Sequence, residues 1–246
     1  MKPVRVGCSG WAYRDWRGGF YPEKMPQREW LGYYSRQFET VEINNTFYKL
    51  PSAAAVNAWI EQTPRRFRFT VKASRYITHV KRLNSPEKYV ERFLASVEPL
   101  AKAGKLEAVL WQLPPSFKRD DERLDAALEV IRARAPGRHT VEFRHPSWFT
   151  ADVYSLLRAR RVALAIADDP ELPFQRRERT TNWAYVRMHR GGRGKQGRYS
   201  ADELATWRRR IAAWRAKTDV LVYFNNDHGA LAVDNAAKLR AGFGPS

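Results

Sequence analysis

Short runs of β-branched and aromatic residues alternate with longer segments of helical period from one end of this chain to the other. The first run, Val4–Cys8, leads through a loop rich in glycine and tryptophan to a helical stretch over 28–37. A strand is predicted over 40–44, then a helix over 52–62 opened by Ser52 directly after Pro51. Residues 67–72 alternate cleanly, with Phe67, Phe69 and Val71 on one side and Arg68, Thr70 and Lys72 on the other. A helix follows over 86–102, with Ser85 the expected N-cap and Gly104 the stop signal. Next come a strand over 106–113 ended by Pro114-Pro115, a helix over 122–134, a strand over 140–144, a helix over 152–160 and a strand over 162–167. Residues 170–181 lack helical period and carry two prolines. The pattern closes with a strand over 183–189, a helix over 201–217, a strand over 220–225 and a helix over 230–239.

Strictly alternating β and α elements require a parallel sheet with crossover helices. Eight such units in 246 residues match a closed barrel, which typically takes about 250 residues. An open doubly wound sheet is the rival, and it usually carries a glycine-rich phosphate turn after its first strand. Here Gly7-Cys8-Ser9-Gly10-Trp11 is neither a dinucleotide fingerprint nor a P-loop. The chain shows no linker, internal repeat or low-complexity segment, so the prediction is one domain over 1–246, a single (β/α)8 TIM barrel.

Barrels place chemistry at the carboxyl ends of their strands, and those ends are polar here: Glu42 and Asn44, Lys72, Gln112, Glu142 and Arg144, Asp168 and Asp169, Arg187 and His189, then Tyr223, Asn225 and Asn226. Period-2 alternation turns Val41, Ile43, Val141, Phe143, Val186, Met188, Val220, Val222 and Phe224 toward the helices. Glu42, Asn44, Glu142, Arg144, Arg187, His189, Tyr223 and Asn225 then point into the barrel. Asp168 and Asp169 stay unassigned, because Ala163, Ala165 and Ala167 fit either side.

Three cations, Lys72, Arg144 and Arg187, suit a phosphate or carboxylate. Glu142 and Glu42 are candidate general bases and His189 a candidate acid or base. Gln112, Asn44, Tyr223 and Asn225 complete the expected substrate contacts, with the loop tryptophans Trp11, Trp16 and Trp148 as mouth-side walls able to stack a base or sugar ring. The structural alternatives are an ion pair between Glu142 and Arg144 and a cross-strand pair between Glu42 and Lys72. A second chemistry is open: Glu42, Glu142, Asp168 and His189 as ligands to a divalent metal in a hydrolase acting on nucleic acid. The histidines show no H-x-x-x-H or H-E-x-x-H spacing, and the nearby cations oppose a bare metal ion. No cofactor is predicted on the first reading. Trp59, Trp111, Trp207 and Trp214 fall inside elements and read as packing.

The net charge of +18 favours polyanions or anionic substrates without bearing on the fold. Arginine on exposed helix faces explains much of it equally well. The basic glycine-rich loop over 190–198 is the segment suited to close over an anion or follow a phosphate backbone, which keeps a non-catalytic nucleic-acid binder as a third class. Cys8 is the single cysteine, so an intramolecular disulfide is excluded, and it reads as a small core residue. With no apolar run long enough for a membrane span and no apolar leader after Met1-Lys2-Pro3, a soluble cytoplasmic protein is expected.

Several stretches together resemble the YecE-like family, known as domain of unknown function 72. They are Val6-Gly7-Cys8-Ser9-Gly10-Trp11-Ala12-Tyr13 with Phe20-Tyr21-Pro22, Val41-Glu42-Ile43-Asn44-Asn45-Thr46-Phe47-Tyr48, Phe69-Thr70-Val71-Lys72-Ala73 and Thr78-His79. Further along stand Gln112-Leu113-Pro114-Pro115, Val141-Glu142-Phe143-Arg144-His145-Pro146-Ser147-Trp148, Val186-Arg187-Met188-His189 and Tyr223-Phe224-Asn225-Asn226. The resemblance implies a TIM barrel and no settled activity. Arg190 departs from it, standing where the family usually has glycine after the strand-seven histidine.

Overall fold

The computed structural model describes residues 1–192 and 195–243, the Lys195 side chain excepted. Among the described residues eight strands are found: β1 Val4–Cys8, β2 Thr40–Ile43, β3 Arg68–Lys72, β4 Leu106–Gln112, β5 His139–Glu142, β6 Ala163–Asp168, β7 Trp183–Met188 and β8 Asp219–Phe224. They run parallel in the order β1-β8-β7-β6-β5-β4-β3-β2. Helices α1 Trp30–Gln37, α2 Asn45–Tyr48, α3 Ala53–Glu61, α4 Glu87–Lys102, α5 Asp121–Arg134, α6 Ala151–Ala159, α7 Ala201–Trp214 and α8 Leu231–Arg240 follow their strands. The β6–β7 connection is irregular, as its prolines predict.

The seam between β1 and β2 nearly closes the sheet into a barrel. One parallel bridge joins Ser9 to Glu42. Below it the Tyr34 hydroxyl stands in for a ladder bond, accepting from Cys8 N at 2.8 Å and donating to Thr40 O at 3.1 Å. Gly7 makes this approach possible: a Cβ there would lie 2.2 Å from Thr40 O.

Helix positions follow local chemistry. Ser52 caps α3 by accepting from Ala55 N, and Asp120 caps α5 by accepting from Arg123 N. Ser200 and Glu203 form a capping box on α7. The expected Ser85 cap is a correction: Ser85 has φ of 44°, and α4 starts from Pro86 with no side-chain cap. That helix is held by its apolar stripe instead, Val90, Phe93, Val97 and Leu100, all buried. Each such side chain contributes roughly 1.5–3 kcal/mol.

The main core lies between sheet and helices, and a smaller one fills the barrel with Ala108, Leu110, Ala163, Ala165, Trp183, Tyr185, Leu221 and Tyr223. Ala163 and Ala165 facing inward settles the parity of β6. Leu164, Ile166 and Asp168 therefore face the helices, and Asp169 turns to the mouth. At the opposite end Arg138 closes the barrel floor with Glu107 at 2.6 Å and with Asp219. Among the described residues no helix is long and apolar enough to cross a membrane.

Candidate functional site

Polar layers stack upward inside the barrel from the apolar interior. The lowest is a neutral plug: Tyr223 hydroxyl lies 2.8 Å from Thr40 Oγ1 and 2.9 Å from Thr70 Oγ1. Tyr223 is fully buried there. It does not reach the substrate position expected of it, because two strand hydroxyls hold its phenol one layer too deep.

Above the plug lies an ionic layer centred on Arg187. Its Nη2 and Nε donate to the two oxygens of Glu42 at 2.7 and 3.1 Å, and Nη1 donates to Glu142 Oε2 at 2.7 Å. Glu42 also accepts from Ser9 Oγ at 2.7 Å and from the Tyr185 hydroxyl. Glu142 accepts from Gln112 Nε2 at 3.1 Å and meets Arg144 Nε at 2.5 Å. Burial alone pushes both carboxyls up, but the Arg187 charge and these hydrogen bonds outweigh it. Glu42 ends below the ordinary carboxylate range, and Glu142, with Arg144 adding to the pull, well below. Both side chains are 0% exposed.

Two expectations change here. Glu42 pairs with Arg187 rather than Lys72, the long guanidinium side chain reaching it across the lumen from β7. Glu42 and Glu142 are also poorly placed as general bases. Each is sealed beneath the mouth and held ionised by cations, which weakens its hold on a proton.

His189 sits beside this layer, with Nε2 2.9 Å from Arg144 Nη2 and Nδ1 3.1 Å from the Asn225 amide. A guanidinium only donates, so Nε2 accepts in that contact; Nε2 also lies 3.4 Å from Glu142 Oε1. Burial, reinforced by repulsion from Arg187 and Arg144, lowers its pKa despite Glu142. His189 contacts Arg144, Asn225 and Glu142, and it is not among the residues lining the mouth cavity.

The mouth itself is a cavity of about 640 Å3 lined by Tyr13, Asn44, Asn45, Tyr48, Lys72, His79, Gln112, Leu113, Pro115, Arg144, Leu172, Arg187, Asn225 and Asp227. The structure therefore brings Lys72, Arg144, Arg187, Gln112, Asn44 and Asn225 together on one wall-to-wall surface. Lys72 ends β3 with its Nζ 4.2 Å from the centre of the Phe47 ring and, among the described residues, no hydrogen-bond or ion-pair partner. Burial, then repulsion from Arg187, brings its pKa down to about 8. His79 lies edge-on to the same Phe47 ring at 4.9 Å, with Nδ1 2.9 Å from Thr78 Oγ1. Burial and the Lys72 charge bring it down to about 4, so it is neutral.

Asp227, beyond β8, is the residue that strand-end reasoning missed. Its backbone carbonyl accepts from Trp16 Nε1 at 2.7 Å, while carboxyl Oδ1 is buried with no hydrogen-bond partner among the described residues. Burial pushes this carboxyl up to about 7, against the pull of Tyr13 and Arg187. Asn44 Oδ1 is likewise buried and unpartnered, its Nδ2 being anchored on Ser9 O at 3.2 Å. Buried polar atoms left without protein partners at a cavity wall are groups that a water or a ligand there can satisfy. The available signal was the Asn225-Asn226-Asp227 run just past β8, read only as far as Asn226.

Trp11, Trp16 and Trp148 do not wall this cavity. Trp11 packs edge-on against Trp59 at 5.9 Å, and Trp148 stacks on Phe143 at 4.7 Å with its Nε1 donating to Phe117 O. Both are drawn into the core by those aromatic contacts. The alternative metal set is not assembled either. Asp168 accepts from Trp207 Nε1 of α7 at 2.8 Å on the outer face, and Arg187 stands between Glu42 and Glu142. Among the described residues no group of three or more His, Cys, Asp or Glu is arranged to hold a metal ion.

The basic loop is tied at both ends, Arg190 to Glu171 and Arg198 to Asp234 at 2.5 Å. Gly191 N also donates to Gly197 O at 2.9 Å. Arg193 and Gly194, also part of the predicted basic loop, lie outside the described residues.

Comparison with known proteins agrees with this architecture. A DUF72 family protein from Thermotoga maritima MSB8 is 33% identical, with a TM-score of 0.86 over 97% of this chain and 98% of that one. A DUF72 protein from Enterococcus faecalis V583 gives a TM-score of 0.82 at 23% identity, over 99% and 96%. The YunF protein of Bacillus subtilis, designated UPF0759, is 29% identical over 267 aligned residues, covering 96% of this chain and 93% of its own. The model of the family described as "Protein of unknown function DUF72" matches residues 5–245. With that match spanning nearly the whole barrel, the chain belongs to the DUF72 family.

Proposed function

We propose that this protein is an enzyme that performs acid/base chemistry on a small anionic substrate, phosphorylated or carboxylated, in the cavity at the carboxyl end of the barrel. The observation that carries this reading is the pairing of two incompletely satisfied groups on one cavity. Among the described residues Lys72 is a cation without a counter-ion contact, and Asp227 is a carboxyl with a bare buried oxygen. A buried cation without a partner costs free energy, and an anionic ligand offsets that cost. Arg144 gives the second charged contact: Nη1 is only loosely engaged, 3.6 Å from Asp169. Asp227, titrating near 7, exchanges protons at neutral pH far more readily than the sealed glutamates.

The roles then divide by layer. Arg187 with Glu42 and Glu142 is the rigid floor that aims Arg144 and Gln112. Lys72 and Arg144 hold the anion, and Asp227 moves the proton.

The test is a thermal-shift screen of phosphorylated and carboxylated metabolites at pH 6.5, with hits followed for turnover by mass spectrometry. The expected result is stabilisation by a small set of anions, lost in Arg144→Ala, and turnover lost in Asp227→Asn with binding retained. Stabilisation by uncharged sugars alone, or by none of the anions, overturns the reading.

A further inference from the structure

We infer that Lys72 acts as a nucleophilic amine, and that the substrate is an anion bearing an aldehyde or ketone which Lys72 captures as an imine. The inference deepens the function proposed above and rests on its anion-binding cavity. Its basis is a contrast among the three cations at the mouth. Arg187 has Nε, Nη1 and Nη2 all donating to carboxylates, and Arg144 is held by Glu142 and His189. Lys72 Nζ alone of the three has no polar contact among the described residues, only the Phe47 ring at 4.2 Å. The face of the Phe47 ring favours the ammonium form, whereas burial and the neighbouring Arg187 and Arg144 charges disfavour it, and a lysine kept merely to hold an anion gains nothing from that loss of charge. An amine that must shed its proton to attack carbon does gain. The environment acts in that direction, holding Lys72 near 8, so at pH 7.5 it carries on the order of a hundredfold more free amine than an exposed lysine.

The step balances with groups on the same cavity. Uncharged Nζ adds to the carbonyl carbon as the C=O π pair moves to oxygen, and one proton passes from nitrogen to that oxygen, giving a carbinolamine. The nitrogen lone pair then expels the hydroxyl, which takes a proton from the Asp227 carboxyl and leaves as water. The products are a protonated imine on Lys72, an Asp227 carboxylate and one water. Arg144 holds the acid group of the substrate.

The experiment incubates the full-length protein with pyruvate, or with pyridoxal 5′-phosphate as a phosphorylated probe, in the presence of sodium cyanoborohydride, followed by peptide mapping. The expected result is a single reduced adduct at Lys72, formed at least tenfold faster than at exposed Lys24 or Lys49, with a rate that is half-maximal near pH 8. Lys72→Arg should fold with a Tm close to wild type and lose the adduct. Labelling of Lys72 no faster than the exposed lysines, or no adduct with either probe, overturns the imine while leaving the anion site standing. Acetone reacting at Lys72 as fast as pyruvate keeps the nucleophile and overturns the anion site.

Discussion

Replacing Arg187 by leucine puts the ionic floor to a quantitative test. The guanidinium donates at 2.7, 3.1 and 2.7 Å to two carboxylates that are both fully buried. Its loss leaves Glu42 without an ion-pair partner among the described residues, and Glu142 with Arg144 as its remaining guanidinium. Breaking such a pair from one side costs about 3–5 kcal/mol. In a chain of this size 1 kcal/mol moves Tm by roughly 2–4 °C, so a fall of about 6–20 °C is expected in calorimetry at pH 7.

The sign of the pH dependence sharpens the test. In the wild type both carboxyls are held below their ordinary values. Their contribution is therefore complete above the unfolded pKa of about 4.3 and is lost as pH falls through the lowered folded values. Without Arg187, burial dominates at Glu42 and raises its folded pKa above the unfolded one. The variant must then lose stability as pH rises from 5 to 8, where the floor adds no such slope to the wild type. Adding Glu42→Gln to Arg187→Leu should remove that slope and recover part of the loss. A Tm within 2 °C of wild type, or an unchanged pH slope, refutes the account of the floor.

Asp227→Asn should stabilise the fold more at pH 8 than at pH 5. A folded pKa near 7 makes the wild-type carboxyl increasingly costly across that range, with a ceiling of about 3 kcal/mol for two pK units; urea melts at both pH values measure it. Anion binding to the wild type should weaken as pH rises through 7 and Asp227 ionises, and titration calorimetry of the Asn variant should find that dependence gone. Gly7→Ala places a methyl 2.2 Å from Thr40 O; it should destabilise by about 3 kcal/mol or more and speed exchange of the Cys8 amide. Tyr48 is 79% exposed at the cavity rim, so Tyr48→Ala should leave Tm within about 1–2 °C of wild type while weakening any ligand that stacks there.

The architecture was legible because parallel strands impose a period of two and crossover helices a period near 3.6, and both survive in single residues. Valines 41, 141, 186, 220 and 222 fixed which neighbours turn inward, and Glu42, Glu142 and Arg187 do meet inside the barrel. Parity does not report height along the axis. Tyr223 and Arg144 both point inward, yet the first is one layer too deep to meet a ligand. Nor does it say who pairs with whom across the lumen: Lys72 is nearer Glu42 in sequence, but Arg187 holds that carboxylate. β6 was silent because its alanines are small enough for either face, and only the packed structure separates Asp168 from Asp169. Trp148 was misplaced because loop position says nothing of direction, and its ring turns back onto Phe143. Asp227 escaped because it lies past the strand, where alternation stops; desolvation, a property of the folded cavity, is what distinguishes it.

The seam has a consequence for assembly of the chain. β1 is the first of the eight strands in chain order, yet its full ladder is with β8, the last of them, from Val4 opposite Val220 to Cys8 opposite Phe224. Toward β2, its near neighbour in sequence, it has a tyrosine hydroxyl and a single bridge. Such long-range pairing pays its loop-closure entropy late, so β1 docks after β8 has formed. Ser9, which donates to Glu42, and Trp16, which fastens the Asp227 backbone, arrive with that final docking. A nascent or truncated chain lacking β8 thus holds Glu42 and Lys72 without the groups that organise them. Binding competence switches on only when β1 and β8 meet, and ligand binding by fragments that lack either strand should be absent rather than graded with length.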